Sequence, residues 1–191
     1  YTVDDPAVSV SYTVYKPKTA SATEPAPAIF VVPGFTRTKA TMAQYAVELS
    51  KRGSVVFTID PGSQGGTTHA GYEVDPVTGE YVLDSQGNKI QNGYSSGRSG
   101  AGYILQYVYN NIDEFDYIDR DRIGIVGHSA GGGDATKLAA DFAGNTYEES
   151  IIKALYFSGY IKTSAANVFY KLRCNTAMSY PKYDEGAFRY Q

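Results

Sequence analysis

Short, nearly all-apolar runs recur along this chain, and each one stops at a turn-forming cluster. Ala28-Ile29-Phe30-Val31-Val32 runs into Pro33-Gly34, and Val55-Val56-Phe57-Thr58-Ile59 runs into Asp60-Pro61-Gly62. A strand without a polar face has to be covered on both sides, as in a parallel sheet. Residues 122–126 and 154–157 read the same way. Between these runs lie segments with apolar residues at helical spacing. In 38–52, Met42, Tyr45, Ala46 and Leu49 share a face. In 99–111 the inward set is Ala101, Ile104, Leu105 and Val108, and in 130–143 it is Ala135, Leu138, Ala139 and Phe142. Residues 8–15 alternate as a half-buried strand does, and 173–180 reads as a polar strand. Alternating strand and helix predicts an α/β domain, a mostly parallel sheet with helices on both faces. Residues 71–93 break the rhythm. Two Asp-rich turn signals there flank Glu80-Tyr81-Val82-Leu83, which predicts a β-hairpin inserted on the surface. Its tyrosines, Tyr72 and Tyr81 with the nearby Tyr94, suit a lip beside a substrate.

Composition narrows the function. The 191 residues are 42% hydrophobic and 19% charged, which argues for a folded core and against disorder. One domain, 1–191, fits that length. No run approaches the roughly 20 apolar residues of a membrane span. Seventeen Lys and Arg against 20 Asp and Glu, without a basic patch, leave no footprint for nucleic acid. One cysteine, Cys174, allows neither an internal disulfide nor a cysteine-built zinc cluster, and two histidines, His69 and His128, leave little for a histidine-rich metal site. Richness in Tyr, Ser, Thr and Gly suits a secreted or extracytoplasmic bacterial protein, but the compartment is not legible in a sequence that opens on Tyr1.

The chemistry concentrates at Gly127-His128-Ser129-Ala130-Gly131, which follows an apolar run and opens a helix. That is G-x-S-x-G in the strand–turn–helix setting that gives the motif meaning. A serine on so sharp a turn takes an unfavourable backbone angle, and side chains two residues to either side would collide with neighbouring elements. The glycines answer that crowding, and the helix start aims free N–H groups at the hydroxyl. The bland alternative is a glycine-rich turn after a strand. Other signals are weaker. Gly62-Ser63-Gln64-Gly65-Gly66 lacks the Lys-Ser/Thr ending of a phosphate loop, and no G-x-G-x-x-G precedes Asp60 to make it a ribose acid. The Asp-rich turns of 71–93 lack EF-hand spacing and read as turn chemistry.

The string Tyr117-Ile118-Asp119-Arg120-Asp121-Arg122-Ile123-Gly124-Ile125-Val126-Gly127-His128-Ser129-Ala130-Gly131-Gly132 resembles the approach to the nucleophile in α/β-hydrolases. The likeness is to the dienelactone hydrolase and prolyl-oligopeptidase-like esterase branch. It covers roughly residues 28 to 186, with 71–93 unmatched. The resemblance implies that Ser129 attacks a carboxylic ester and carries an acyl-enzyme, without metal or organic cofactor. It also implies an oxyanion hole built from the N–H groups of Ala130 and of Phe35, which follows Pro33-Gly34 where the family often has His-Gly. Each such donor is worth roughly 3 kcal/mol. The acid it implies is Asp184, with Glu185 next, after Pro181 in place of the family's glycine. The family's base is a histidine beyond the acid, and no histidine follows His128. His128 is expected to point away from Ser129, and His69 from a bordering loop would be an unusual base. Two expectations stay open: a longer hydrolase whose last strand, histidine and helix lie in a missing C-terminal segment or a second chain, or a non-catalytic binding or structural module on the same scaffold. Among enzymes, a peptidase or thioesterase remains an alternative to an esterase acting on a small-molecule ester.

Overall fold

A computed structural model of the chain describes residues 9–62, 64–68, 75, 77–78, 80–90, 100–159 and 168–179. Six strands form one sheet: β1 (Tyr12–Tyr15), β2 (Ala26–Val32), β3 (Val55–Ile59), β4 (Ile118–His128), β5 (Ile152–Ser158) and β6 (Asn175–Ser179), in the order β1-β3-β2-β4-β5-β6. Only the β1–β3 pair is antiparallel; the other four pairings are parallel. The α-helices are α1 (Ala43–Lys51), α2 (Ala101–Asn110) and α3 (Ala130–Asp141).

The sheet is covered unequally. On one face α2 and α3 pack Ala101, Ile104, Leu105, Val108, Leu138 and Ala139 onto Phe30, Phe57, Ile125 and Leu155. Phe30 and Phe57 stack at 4.8 Å between centroids, which locks β2 to β3. On the other face Met42, just before α1, and Ala46 of α1 pack against Val31 and Val56. Beyond α1, no helix among the described residues covers that face. An apolar trough of about 1070 Å³ runs along Ile29, Val126, Ala154, Tyr156 and Ala177, walled by Leu49. Tyr45, expected inward, is 44% exposed because it lines this trough instead of a closed core.

Several expected boundaries moved. The helix expected over 38–52 is a 3-10 turn at Lys39–Met42 followed by α1, with the N–H of Lys39 donated to Asp60. The strand expected over 122–126 begins at Ile118. Its charged stretch bulges out of register with β2, pairing Pro27 with Asp119 and then Ala28 with Ile123. Arg122 closes that bulge on Asp119 and on the Pro25 carbonyl. The strand expected over 8–15 is described only from Tyr12, and Phe142, expected inward, is half-buried. Within 80–90, Leu83 and Lys89 form an antiparallel bridge around a turn at Gly87, and Lys89 stacks on Tyr81. Tyr72 and Tyr94 lie outside the described residues. No helix among the described residues is long and apolar enough to cross a membrane.

From β2 the chain moves through α1 to β3 on one side, and from β4 through α3 to β5 on the other. The connections diverge between β2 and β4, and a crevice at the carboxyl ends of such strands is where open α/β sheets bind ligands.

Candidate active site

Ser129 stands at that crevice, between the last residue of β4 and the first of α3. Its backbone sits at φ 53°, ψ −123°, a conformation that costs a residue with a side chain roughly 1–3 kcal/mol. Hydrogen bonds on both sides hold it there. Its N–H donates to the Ser158 carbonyl (2.8 Å), extending the β4–β5 ladder, and its carbonyl accepts from Gly132 N–H (2.8 Å), starting α3. The flanking glycines are a packing requirement. A Cβ on Gly127 would lie 2.3 Å from the Gly131 carbonyl oxygen, and one on Gly131 would lie 2.3 Å from that of Val32 and 2.4 Å from that of Pro33. The first turn of α3 thus presses backbone to backbone on the end of β2.

That contact brings the loop after β2 to Ser129. A Cβ on Gly34 would meet Ser129 Cβ at 3.0 Å, the His128 carbonyl oxygen at 3.1 Å and His128 Nδ1 at 3.2 Å. Pro33 and Gly34 are buried, whereas the Phe35 side chain is 61% exposed. Arg37 N–H donates to the Gly34 carbonyl (3.0 Å), and Thr36 takes φ 60°, the backbone pattern of a type II turn. Ala130 opens α3, so its N–H has no acceptor within the helix. Of the residues expected to act together, Ser129, Ala130 and Gly34 are therefore neighbours. His128 is half-buried, opposite Ser158 on β5, and its Nδ1 makes no hydrogen bond to a described residue. The expected acid Asp184, its alternative Glu185, and His69 lie outside the described residues.

Sequence reasoning left Asp60 without a role. It closes β3 with its side chain 2% exposed and accepts three bonds: Lys39 N–H at Oδ1 (2.7 Å), and Gly66 N–H (2.9 Å) and the Lys39 ammonium (3.0 Å) at Oδ2. The ammonium also donates to Ser11 Oγ. Burial pushes the carboxyl pKa up, but the N–H donors of Gly66 and Lys39 and the Lys39 ammonium outweigh it, and the group titrates below the usual aspartate value. The signal was there: a charge closing a buried strand must find partners. Burial raises the thiol pKa of Cys174, which disfavours the thiolate.

The architecture has many solved counterparts. Est1E from Butyrivibrio proteoclasticus, solved with ferulic acid, aligns at TM-score 0.52 and 17% identity over 79% of this chain and 49% of its own. The 2,6-dihydroxy-pseudo-oxynicotine hydrolase aligns at TM-score 0.53 and 15% identity over 91% of this chain and 57% of its own. A Bacteroides ovatus protein provisionally named a dipeptidyl aminopeptidase IV aligns at TM-score 0.59 and 15% identity over 90% of this chain and 26% of its own. The chain has the α/β-hydrolase fold. No family model matches the sequence. This α/β-hydrolase domain spans between about a quarter and 57% of the length of those three structures.

Proposed function

We propose that this α/β-hydrolase domain belongs to a serine hydrolase that cleaves a carboxylic ester through an acyl-enzyme on Ser129. The observation that carries the reading is the strained Ser129 backbone held against the Gly34 backbone at the crevice between β2 and β4. Ser129 Oγ attacks the ester carbonyl carbon while its proton passes to a general base. The developing oxyanion accepts from Ala130 N–H and Phe35 N–H, each worth roughly 3 kcal/mol in the transition state. Collapse expels the alcohol, which takes the proton from the base. Water then adds to the acyl carbon by the same route, giving the acid and restoring the Ser129 hydroxyl. The base is a histidine outside these 191 residues, from a further segment or a second chain, oriented by Asp184. Two observations favour that source: no histidine follows His128, and the domain spans at most 57% of the three solved structures above.

The same lack of a later histidine also favours a second reading, a binding module without turnover. A fluorophosphonate probe separates the two on the natural protein, in whatever length its gene encodes. The hydrolase reading expects one phosphonyl adduct on Ser129, lost in Ser129→Ala. A natural protein that stays unlabelled with its folded content intact overturns it. Hydrolysis of matched ester, thioester and amide substrates then assigns the acyl class.

A further inference from the structure

Lys39 ends the loop that carries Gly34 and Phe35, and its two donors fork onto one carboxylate. Its N–H reaches Asp60 Oδ1 at 2.7 Å and its ammonium reaches Oδ2 at 3.0 Å. A fork from a single residue fixes direction as well as position. It sets where the loop of 33–38 ends and how its last peptide is turned.

Asp60 is itself held on every side. Its N–H donates to the Ser11 carbonyl (2.9 Å), its carbonyl accepts from the Thr67 hydroxyl (3.0 Å), and Gly66 N–H holds Oδ2. Gly65 lies so close that a Cβ there would come within 2.4 Å of the carboxylate carbon. Thr67 Oγ1 in turn accepts from Ser11 N–H at 2.9 Å. The far end of the loop is therefore tied to a rigid point on β3, and the near end is fixed by the pairing of β2 with β3 and β4. Only residues 33–38 lie between, and they include the turn with Thr36 at φ 60°.

We propose that Lys39 and Asp60 are positioning residues that hold the Gly34–Phe35 peptide against Ser129. The inference rests on the acyl-transfer reading of Ser129. It adds a charged pair that touches no substrate yet sets the donor geometry. Oxyanion donors act on the transition state and not on bound substrate. Loosening the loop therefore lowers the rate of phosphonylation and kcat and leaves KM near its original value. A misplacement of about 1 Å costs on the order of 10²-fold.

The test compares the natural protein with Lys39→Met, Lys39→Arg and Asp60→Asn. It measures fluorophosphonate rate, kcat and KM on a simple aryl ester, and amide exchange over residues 34–38. Unfolding midpoints identify variants that fail to fold, and Lys39→Met is the primary variant because its side chain is 26% exposed while that of Asp60 is 2% exposed. The expected result is a labelling rate and kcat lower by roughly 10- to 100-fold in Lys39→Met. KM is held, exchange is faster at 34–38 and unchanged in the strands, and Lys39→Arg recovers most of the rate. Wild-type rates in Lys39→Met overturn the inference and leave the hydrolase reading standing. So does a loss that only tracks the unfolded fraction. A wild-type protein that takes no label overturns the hydrolase reading, and the inference falls with it.

Discussion

Gly34 and Ser129 face each other across the crevice: a methyl group on Gly34 would stand 3.0 Å from Ser129 Cβ. One residue sits in the loop after β2 and the other at the end of β4, and no side chain fits between them.

Gly34→Ala is expected to separate stability from reaction. The added methyl meets Ser129 Cβ, the His128 carbonyl and His128 Nδ1 at 3.0–3.2 Å, so its neighbours must yield by a few tenths of an ångström. A cost of about 1–2 kcal/mol in urea unfolding follows from overpacking. On the proposed acyl-transfer reading, labelling of Ser129 should fall by roughly 10-fold or more, because the displacement lands on the proposed nucleophile. Equal labelling rates in the wild type and in Gly34→Ala would contradict the placement.

Gly131→Ala should be far more damaging. Its Cβ would lie 2.3 and 2.4 Å from two backbone carbonyl oxygens, of Val32 and Pro33, which cannot rotate away. Either α3 lifts off β2 or the variant does not fold. We expect at least about 3 kcal/mol of lost stability, read as a lower denaturation midpoint or as insoluble expression.

Thr36→Gly tests the turn that follows Gly34. Thr36 is β-branched and holds φ 60°, where Gly is the favoured residue of a type II turn. Relief of that strain is partly offset by the greater freedom of Gly in the unfolded chain. The net effect is a gain of about 0.5 kcal/mol, or roughly 1–2 °C in Tm, measured by calorimetry.

Asp60 gives the molecule a one-sided response to acid. Its carboxyl is lowered in the folded state, so its stabilisation is complete above the unfolded aspartate pKa of about 3.9. It is lost as pH falls through the lower, folded value. The stability difference between wild type and Asp60→Asn should therefore stay constant from pH 7 to about 5 and shrink below about 4. Urea midpoints across that range check it. A difference that instead grows towards low pH would mean that Asp60 is not held ionised by Lys39 and Gly66.

Most of the architecture was legible because apolar runs and their stops are local signals. The strand at 55–59 falls where it was expected, and Ala101, Ile104, Leu105 and Val108 are all buried. The start of β4 was not legible. The expected strand began at 122, and only the bulge against Pro27 and Ala28 lets the strand carry Asp119, Arg120 and Asp121 as well. Nor was the bond from Lys39 N–H at the helix start legible, since its acceptor is a carboxylate 21 positions away. At the site, the need for glycine at 127 and 131 follows from the motif itself, whereas the part played by Asp60 depends on four segments meeting. The expected acid, Asp184, and the histidine at 69 lie outside the described residues.

The uncovered trough beside α1 bears on how this chain behaves in a test tube. Ala154 and Ala177 lie exposed on the sheet, and β6, exposed along all five residues, stands at its border with Met178 56% exposed. Greasy shelves of this kind recruit company: dye molecules, detergent tails, other copies of the same chain. Light scattering that climbs with concentration, and that subsides when Ala154 is replaced by a charged residue, would trace the stickiness to that shelf.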